Sequence, residues 1–362
     1  MEPLMFAHET ERRLRVAFLG TSGHAFRNFL PNFPYLPIEL VALWDPDAAR
    51  AAAFARQFGA AQPYMDLNRL FAEAAPDAVM IGVEGFDGDE PQNVALMARA
   101  LDAGCHAWTD KPLAATVAAA RRLIALRDRA GKVAGVGIKT MFYPAHTKMR
   151  EIIAAPAFGR LVSFTARYPL HIPSREGLAA SDPAVRSCLG HLWHPFGVAL
   201  ALVSPLATLH VEAAPRGDGG VALATFRNGT VGTFHFSAGQ SGMSPLERTE
   251  VVGEGANVVA ENALRVTYYR KGAPGPYGRT ASFFIDKAAA PLVWQPEMSL
   301  GQLYNSNNFI QGYAPSMLAF AEAALGGPPL ARGTLEDAVE VLKVFEILRE
   351  GPQGVVAIPG DR

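Results

Sequence analysis

Gly20-Thr21-Ser22-Gly23-His24-Ala25, followed by Asp45 roughly twenty to twenty-five residues later, carries the spacing from which chemistry can be read in this chain. Against the dinucleotide-binding pattern G-x-G-x-x-G/A, Gly20 holds the first position, Ser22 stands in for the second glycine, and Ala25 fits the third. A strand that stops at a glycine and turns directly into a helix leaves backbone N–H groups free to hold a pyrophosphate. Asp45 ends the next strand, where a carboxylate takes the ribose hydroxyls. Its charge repels a 2′-phosphate, so NAD is expected in preference to NADP. Gly20, Ser22, Gly23, His24, Ala25 and Asp45 are therefore the candidate cofactor contacts. The competing reading is an ordinary strand-turn-helix connection, with Asp45-Pro46-Asp47 opening the helix Ala48–Phe58.

A second group lies in Ser187-Cys188-Leu189-Gly190-His191-Leu192-Trp193-His194-Pro195-Phe196. With an ordinary pKa near 6.5, an imidazole can accept a proton at neutral pH and return it. His191 and His194 are three positions apart, which places both rings on one helix face. Three readings compete: packed core histidines, a metal site shared with Cys188, and a binding rather than a catalytic site. The spacing Cys-x-x-His-x-x-His lacks a second, separated ligand pair, so no metal is expected.

These groups need elements to hold them. The run 14–19 is a short apolar stretch of strand formers, as expected for a strand buried on both faces. Strand and helix signals then alternate to residue 138: strands at 39–44, 76–83, 105–109 and 133–138, helices at 48–58, 67–75, 92–103 and 116–130. That order implies a parallel sheet covered on both sides. After one further helix, 145–153, strand-like runs follow at 161–169, 207–214, 220–226, 230–237, 249–252, 257–260, 264–270 and 280–285, with a hairpin signal at Asn228-Gly229. The expected architecture is an N-terminal Rossmann domain, 12–138, and an α+β domain, 139–362, with a large, mostly antiparallel open sheet. Residues 313–325 and 335–349 carry helical apolar stripes, read as core.

The whole-chain numbers narrow the function. With 362 residues and 49% hydrophobic content, the chain can bury two cores. A net charge of −1 leaves no basic stripe for nucleic acid or a membrane surface. Two cysteines make no disulfide framework, which points to a reducing cytoplasm. No run nears the eighteen apolar residues of a membrane helix and the N-terminus lacks a signal-peptide core, so a soluble protein is expected.

The glycine turn, the acid after the second strand, PDAVMIGV, ALDAGCHAWTDKPLA, GYAPSMLAFAEAALGG and GTLEDAVEVLKVFE together resemble the glucose-fructose oxidoreductase, inositol dehydrogenase and MocA family. The resemblance implies an NAD(P)-dependent oxidoreductase acting on a carbinol of a sugar, cyclitol or related polyol, assembled as a homodimer or homotetramer through the second sheet. It makes Lys111, in Asp110-Lys111-Pro112 where the family usually has Glu-Lys-Pro, the residue beside nicotinamide and substrate. A lysine there stabilises the growing alkoxide charge. Aligning HPFGVAL with the family's histidine segment puts the proton-exchanging histidine at His194 and Gly190 where the family has aspartate, with His191 a possible substitute. Lys139, Tyr168, His171 and His191 are candidate substrate contacts by the same resemblance. Arg175, Arg186, Trp193 and the amides of 304–308 are weaker ones. Two alternatives share the fold: a non-catalytic NAD(P)-binding sensor or scaffold, and an NAD-dependent glycosidase-like enzyme.

Overall fold

The computed structural model describes residues 12–173, 179, 181–272, 290–296, 306–351 and 354–360. The strand expected at 280–285, with Arg175, Tyr304 and Asn305, lies outside the described residues. The chain forms two compact units, 1–139 with 307–342, and 140–306 with 343–362.

The first unit holds a six-stranded parallel sheet made of β1 (Leu14–Leu19), β2 (Ile38–Trp44), β3 (Gln62–Tyr64), β4 (Ala78–Ile81), β5 (His106–Asp110) and β6 (Ala134–Gly137). Its order, β3-β2-β1-β4-β5-β6, is that of the doubly wound dinucleotide-binding fold, in which ligands meet the carboxyl ends of the strands where the order reverses. Helices α1 (Ala48–Phe58), α2 (Leu67–Ala74), α3 (Gln92–Asp102) and α4 (Val117–Ala130) join the strands. Local chemistry sets their ends. Asp47, Asp66 and Thr116 cap the N-termini of α1, α2 and α4 with side-chain oxygens, and Gly59 and Gly131 end α1 and α4 in the left-handed conformation.

The link from β1 to β2 departs from the expected α-helix. It winds as a π-helical turn, Ala25–Phe29, followed by a 3-10 stretch, Leu30–Tyr35. Pro31 and Pro34 explain this: each removes an N–H donor, so regular i→i−4 bonding cannot continue through them. Phe29 closes onto Trp108 and Tyr313 with centroids 5.4 and 5.7 Å away, completing an apolar core with Val16, Phe18 and Met80. Tyr313 belongs to a helix, Tyr313–Ala324, that was expected in the second domain. Residues 307–342 instead pack with the first unit, because Tyr313, Met317 and Phe320 bury their side chains in this core.

The second unit carries a nine-stranded sheet. In chain order it uses β7 (Leu161–Tyr168), β8 (Leu206–Ala213), β9 (Gly220–Phe226), β10 (Val231–Phe236), β11 (Arg248–Gly253), β12 (Asn257–Glu261), β13 (Arg265–Tyr269), β14 (Leu292–Trp294) and β15 (Val356–Ala357). The order is β14-β13-β12-β11-β7-β10-β9-β8-β15, and among the described pairs only β7 with β10 runs parallel. Alternation sorts the two faces. Phe164, Phe226, Phe234 and Phe236 point inward and are buried, while Val162, Val221, Leu223 and Val231 point outward and are exposed. Two elements of this unit, α5 (Pro144–Ala154) and α7 (Trp193–Leu202), pack on the inner face, and α6 (Pro183–His191) precedes α7.

Candidate functional site

At the carboxyl ends of β1, β2 and β4 the first unit opens a cleft of about 560 Å³, lined by Gly20, Thr21, Ser22, Gly23, Asp45 and Arg50 and, across it, Glu84 and Asp87. Gly20 is required twice over. Its φ of +106° is strained for any side chain, and a Cβ there would lie 3.0 Å from the Gly82 backbone. Ser22, where the pattern expects glycine, caps the helical turn: its Oγ accepts from Ala25 N at 3.0 Å and donates to the Gly82 carbonyl at 2.8 Å.

Asp45 is buried and braces the turn. Oδ2 accepts from Thr21 N at 3.1 Å and from Thr21 Oγ1 at 2.5 Å, while Oδ1 accepts from Asp47 N at 2.9 Å. The cap of α1 is Asp47 rather than Asp45, which leaves the Asp45 carboxylate on the cleft wall. Arg50 donates from Nη2 to the Thr21 carbonyl at 2.6 Å, so the turn is held from both sides of its peptide.

A second cavity of about 230 Å³ adjoins the first, sharing Ser22, Val83, Glu84 and Phe86, and is lined further by His24, Asn93, Asp110 and Lys111. Lys111 is half-buried at the end of β5, just before Pro112, to which it is joined by a cis peptide. Asn93 ties this turn down, donating from Nδ2 to the carbonyls of Asp110 (3.2 Å) and Pro112 (2.9 Å). Glu90 adds a further tether, accepting from Ala115 N at 2.9 Å and Thr116 Oγ1 at 3.0 Å. His24 stands edge-on to Phe29 and Tyr313 with Nε2 3.5 Å from Asp110 Oδ2. Burial lowers its pKa below the ordinary imidazole value, and the carboxylate of Asp110 opposes that only in part. Ala25 is fully buried behind the turn and acts through packing. Lys139, also of this unit, donates to Gln311 Oε1 at 3.0 Å and lies 4.6 Å above the Tyr313 ring centroid.

In the second unit His194 is buried and stacks on Tyr168, ring centroids 5.2 Å apart. Both line a cavity of about 20 Å³ with Arg167, Glu247 and His146. His146 Nδ1 donates to the Thr140 carbonyl at 2.7 Å, and Thr140 Oγ1 donates to the His194 carbonyl at 3.3 Å. The expected shared face of His191 and His194 is not formed. Helix α6 ends at His191, which is exposed and hydrogen-bonded through Nδ1 to the Ser187 carbonyl at 2.8 Å, and α7 begins beyond Leu192 with His194 turned inward. His171 is likewise exposed. Cys188 is buried, and among the described residues no group of three or more His, Cys, Asp or Glu is disposed to hold a metal ion. Trp193 is core, its Nε1 donating to the Leu189 carbonyl at 2.6 Å. At Gly190 a Cβ would meet nothing within 4 Å.

Sequence reasoning missed Thr21, Arg50, Glu90, Asn93 and His146. Thr21 sits inside the glycine pattern and was readable as a turn residue. The others act through partners distant in sequence and have no local signal.

Residues 14–138 match the model of the Gfo/Idh/MocA group, an oxidoreductase family with an NAD-binding Rossmann fold. A dTDP-3,4-didehydro-2,6-dideoxy-alpha-D-glucose 3-reductase of Streptomyces violaceoruber is 33% identical over 175 residues, 46% of this chain and 47% of that protein. The chain spans about half the length of the curated relatives it matches. Among solved structures, a dehydrogenase from Chromobacterium violaceum superposes with a TM-score of 0.78 at 18% identity, over 93% of this chain and 94% of that one. An oxidoreductase from Agrobacterium radiobacter in complex with NAD+, L-tartaric acid and magnesium gives 0.73 at 16% identity, over 96% and 98%. At such identities the likeness establishes the fold of the whole chain.

Proposed function

We propose that the chain, whose residues 14–138 match the Gfo/Idh/MocA model of NAD-binding Rossmann oxidoreductases, is an NAD-dependent dehydrogenase or reductase. Its substrate is a carbinol of a sugar, cyclitol or related polyol, the class to which the sugar reductase among its relatives belongs. The observation that carries this reading is the pair of adjoining clefts, one walled by the Gly20 turn and Asp45, the other by Lys111.

The residues present fit a dinucleotide. The larger cleft combines a helix-opening turn without side-chain bulk at Gly20 and Gly23 with a carboxylate on its wall, as a diphosphate and a ribose diol require. Gly20, Ser22, Gly23, His24 and Asp45 would hold it, with Ala25 packing behind. The bound dinucleotide supplies the hydride acceptor. Lys111 holds the carbinol oxygen and offsets the negative charge that gathers there as the hydroxyl proton departs. His194 takes that proton on its imidazole and gives it back in the reverse direction. Tyr168, stacked on His194, fixes the ring plane. Lys139, His171 and His191 remain candidate substrate contacts. Asp45 makes NAD the preferred nucleotide over NADP, through repulsion of a 2′-phosphate.

Assembly as a homodimer or homotetramer through the outer face of the nine-stranded sheet, and a cytoplasmic location, are part of the proposal. Support comes from exposed Val221, Leu223 and Val231 and from two buried free cysteines. One observation favours a second reading, a ligand sensor of the same fold: Gly190 stands where the family's aspartate is expected.

A screen of sugars and polyols with NAD and NADP, followed by reduced-nicotinamide absorbance, separates the two. Turnover on one of them, reduced about 100-fold or more in Lys111→Ala with NAD affinity kept, is the outcome expected of the enzyme. Dinucleotide binding without turnover on any compound supports the sensor.

A further inference from the structure

The small cavity of the second unit lies between α5, α7 and the inner face of the sheet, and Thr140 ties its two histidines together. The Thr140 carbonyl accepts from His146 Nδ1 at 2.7 Å, and the Thr140 hydroxyl donates to the His194 carbonyl at 3.3 Å. A stacked tyrosine then fixes the plane of each ring. His146 lies on Tyr143 with centroids 5.1 Å and planes 18° apart, and His194 lies on Tyr168 at 5.2 Å and 28°.

A carbonyl oxygen can only accept, so His146 Nδ1 carries the hydrogen and Nε2 of the neutral ring is an acceptor. Full burial keeps that ring neutral at ordinary pH, its pKa pushed down to about 4. Among the described lining residues Glu247 is the one carboxylate. Its backbone is held in place: Glu247 N donates to Asn262 Oδ1 at 2.8 Å, from a turn in which Asn262 and Ala263 take φ of +50° and +56°. A left-handed alanine is strained, and Ala263 itself lines the cavity. Arg167 lies between Ala166 and Tyr168, and strand alternation sends its side chain to the opposite face of the sheet.

At about 20 Å³ the cavity admits one water and nothing larger, since a water takes roughly 10–15 Å³ of such space and needs two to four polar partners. His146 Nε2 and the Glu247 carboxylate can only accept. Together they take both hydrogens of a water, whose oxygen is then left to accept, and the His194 ring in the same wall offers the N–H.

We propose that this cavity is the site of one ordered water that accepts from the His194 ring and donates to His146 Nε2 and to Glu247, which makes His146 and Glu247 positioning residues for the base. The role rests on the reading of His194 as the proton-exchanging residue. The ring nitrogen on the cavity side keeps its hydrogen, and the lone pair of the other nitrogen is left for the hydroxyl proton of the substrate. A carboxylate reached through a water thus orients the imidazole, a task that Gly190 cannot perform. Once His194 is protonated, Glu247 offsets its charge across the same water.

Ring NMR of the full chain follows His194 without any substrate, its signal assigned by its loss in His194→Gln. One neutral tautomer should dominate in the native chain. Glu247→Gln keeps an acceptor but drops the charge, and should lower the His194 titration midpoint by roughly 0.5 to 1 in pH. His146→Asn keeps an N–H for Thr140 and removes the Nε2 acceptor, and should mix the two tautomers. Glu250→Gln, whose carboxylate bonds Asn257 and Arg248 instead, should change neither. With a substrate from the screen, Glu247→Gln should lower kcat about 3- to 10-fold at unchanged KM and carry the acid limb of the rate profile to lower pH. A midpoint and tautomer ratio that neither Glu247→Gln nor His146→Asn alters overturn the water site. Full turnover in His194→Ala overturns the catalytic reading of that residue, and with it the positioning role, while the ring titration still decides the water site.

Discussion

His146 shows what one buried side chain does to the pH response. Full burial drives its pKa down to about 4, against the favourable bond to the Thr140 carbonyl. The folded state therefore keeps the ring neutral through a range in which the unfolded chain, titrating near 6.5, takes up a proton. The sign follows: this contribution to stability is fully present above the unfolded value and is lost as pH falls toward the folded one. The drop from 6.5 to about 4 corresponds to about 3 kcal/mol. Denaturant melts between pH 7 and pH 4 should show the loss, and His146→Asn, which keeps an N–H for Thr140 but does not titrate, should flatten that limb. An unchanged slope would place the acid sensitivity elsewhere. At this scale local spacing singled out Gly20 and Asp45, which the structure sets on the wall of one cleft, while Lys111 was singled out by the family resemblance alone. The sequence was silent where the role is set by distant partners: Asn93 meets carbonyls 17 and 19 positions away, and Glu90 grips residues 25 and 26 positions on.

Among the elements, the turn after β1 bears most on function. Ser22 caps it and also bridges to Gly82 on β4's end, so Ser22→Ala should cost about 1 kcal/mol in denaturant unfolding and weaken NAD binding. Gly20→Ala should do worse, by about 2 kcal/mol or more, because it adds a clash with the Gly82 backbone to an unfavourable φ. Equal stability of all three proteins would contradict the geometry. Buried strands were legible to within about two residues at each end, as for Leu14–Leu19, whereas the short edge strand Gln62–Tyr64 was not read. The helix after Leu14–Leu19 was read as α because the pattern marks where a helix starts and says little about how Pro31 and Pro34 rewind it. The histidine pair differs from expectation in burial: Leu192 joins the two helices with helical dihedrals, yet His191 is exposed and His194 buried.

For the molecule as a whole, the outer face of the nine-stranded sheet carries three exposed aliphatic side chains. Val221, Leu223 and Val231 are 52, 58 and 53% exposed and pair across the strands with His235, Thr233 and Thr225. If this face joins copies of the chain, Leu223→Asp should halve the mass seen by light scattering while leaving NAD affinity unchanged. A native protein that is monomeric at micromolar concentration would rule the interface out. The sequence reading divides the chain at 138/139, where alternating strands and helices give way to consecutive strands, and the compact units divide at 139/140. The return of 307–342 to the first unit was not legible, because an apolar helical stripe declares that it is covered without declaring by what.

The central claim is that the cleft between the Gly20 turn and Asp45 holds NAD. Titration calorimetry of the native chain and of Asp45→Ser with NAD+ and with NADP+ tests it most directly. The account predicts saturable heat with NAD+, weaker binding of NADP+, and in Asp45→Ser a loss that falls mainly on NAD+. No heat from either nucleotide, or a preference that Asp45→Ser leaves untouched, would contradict it.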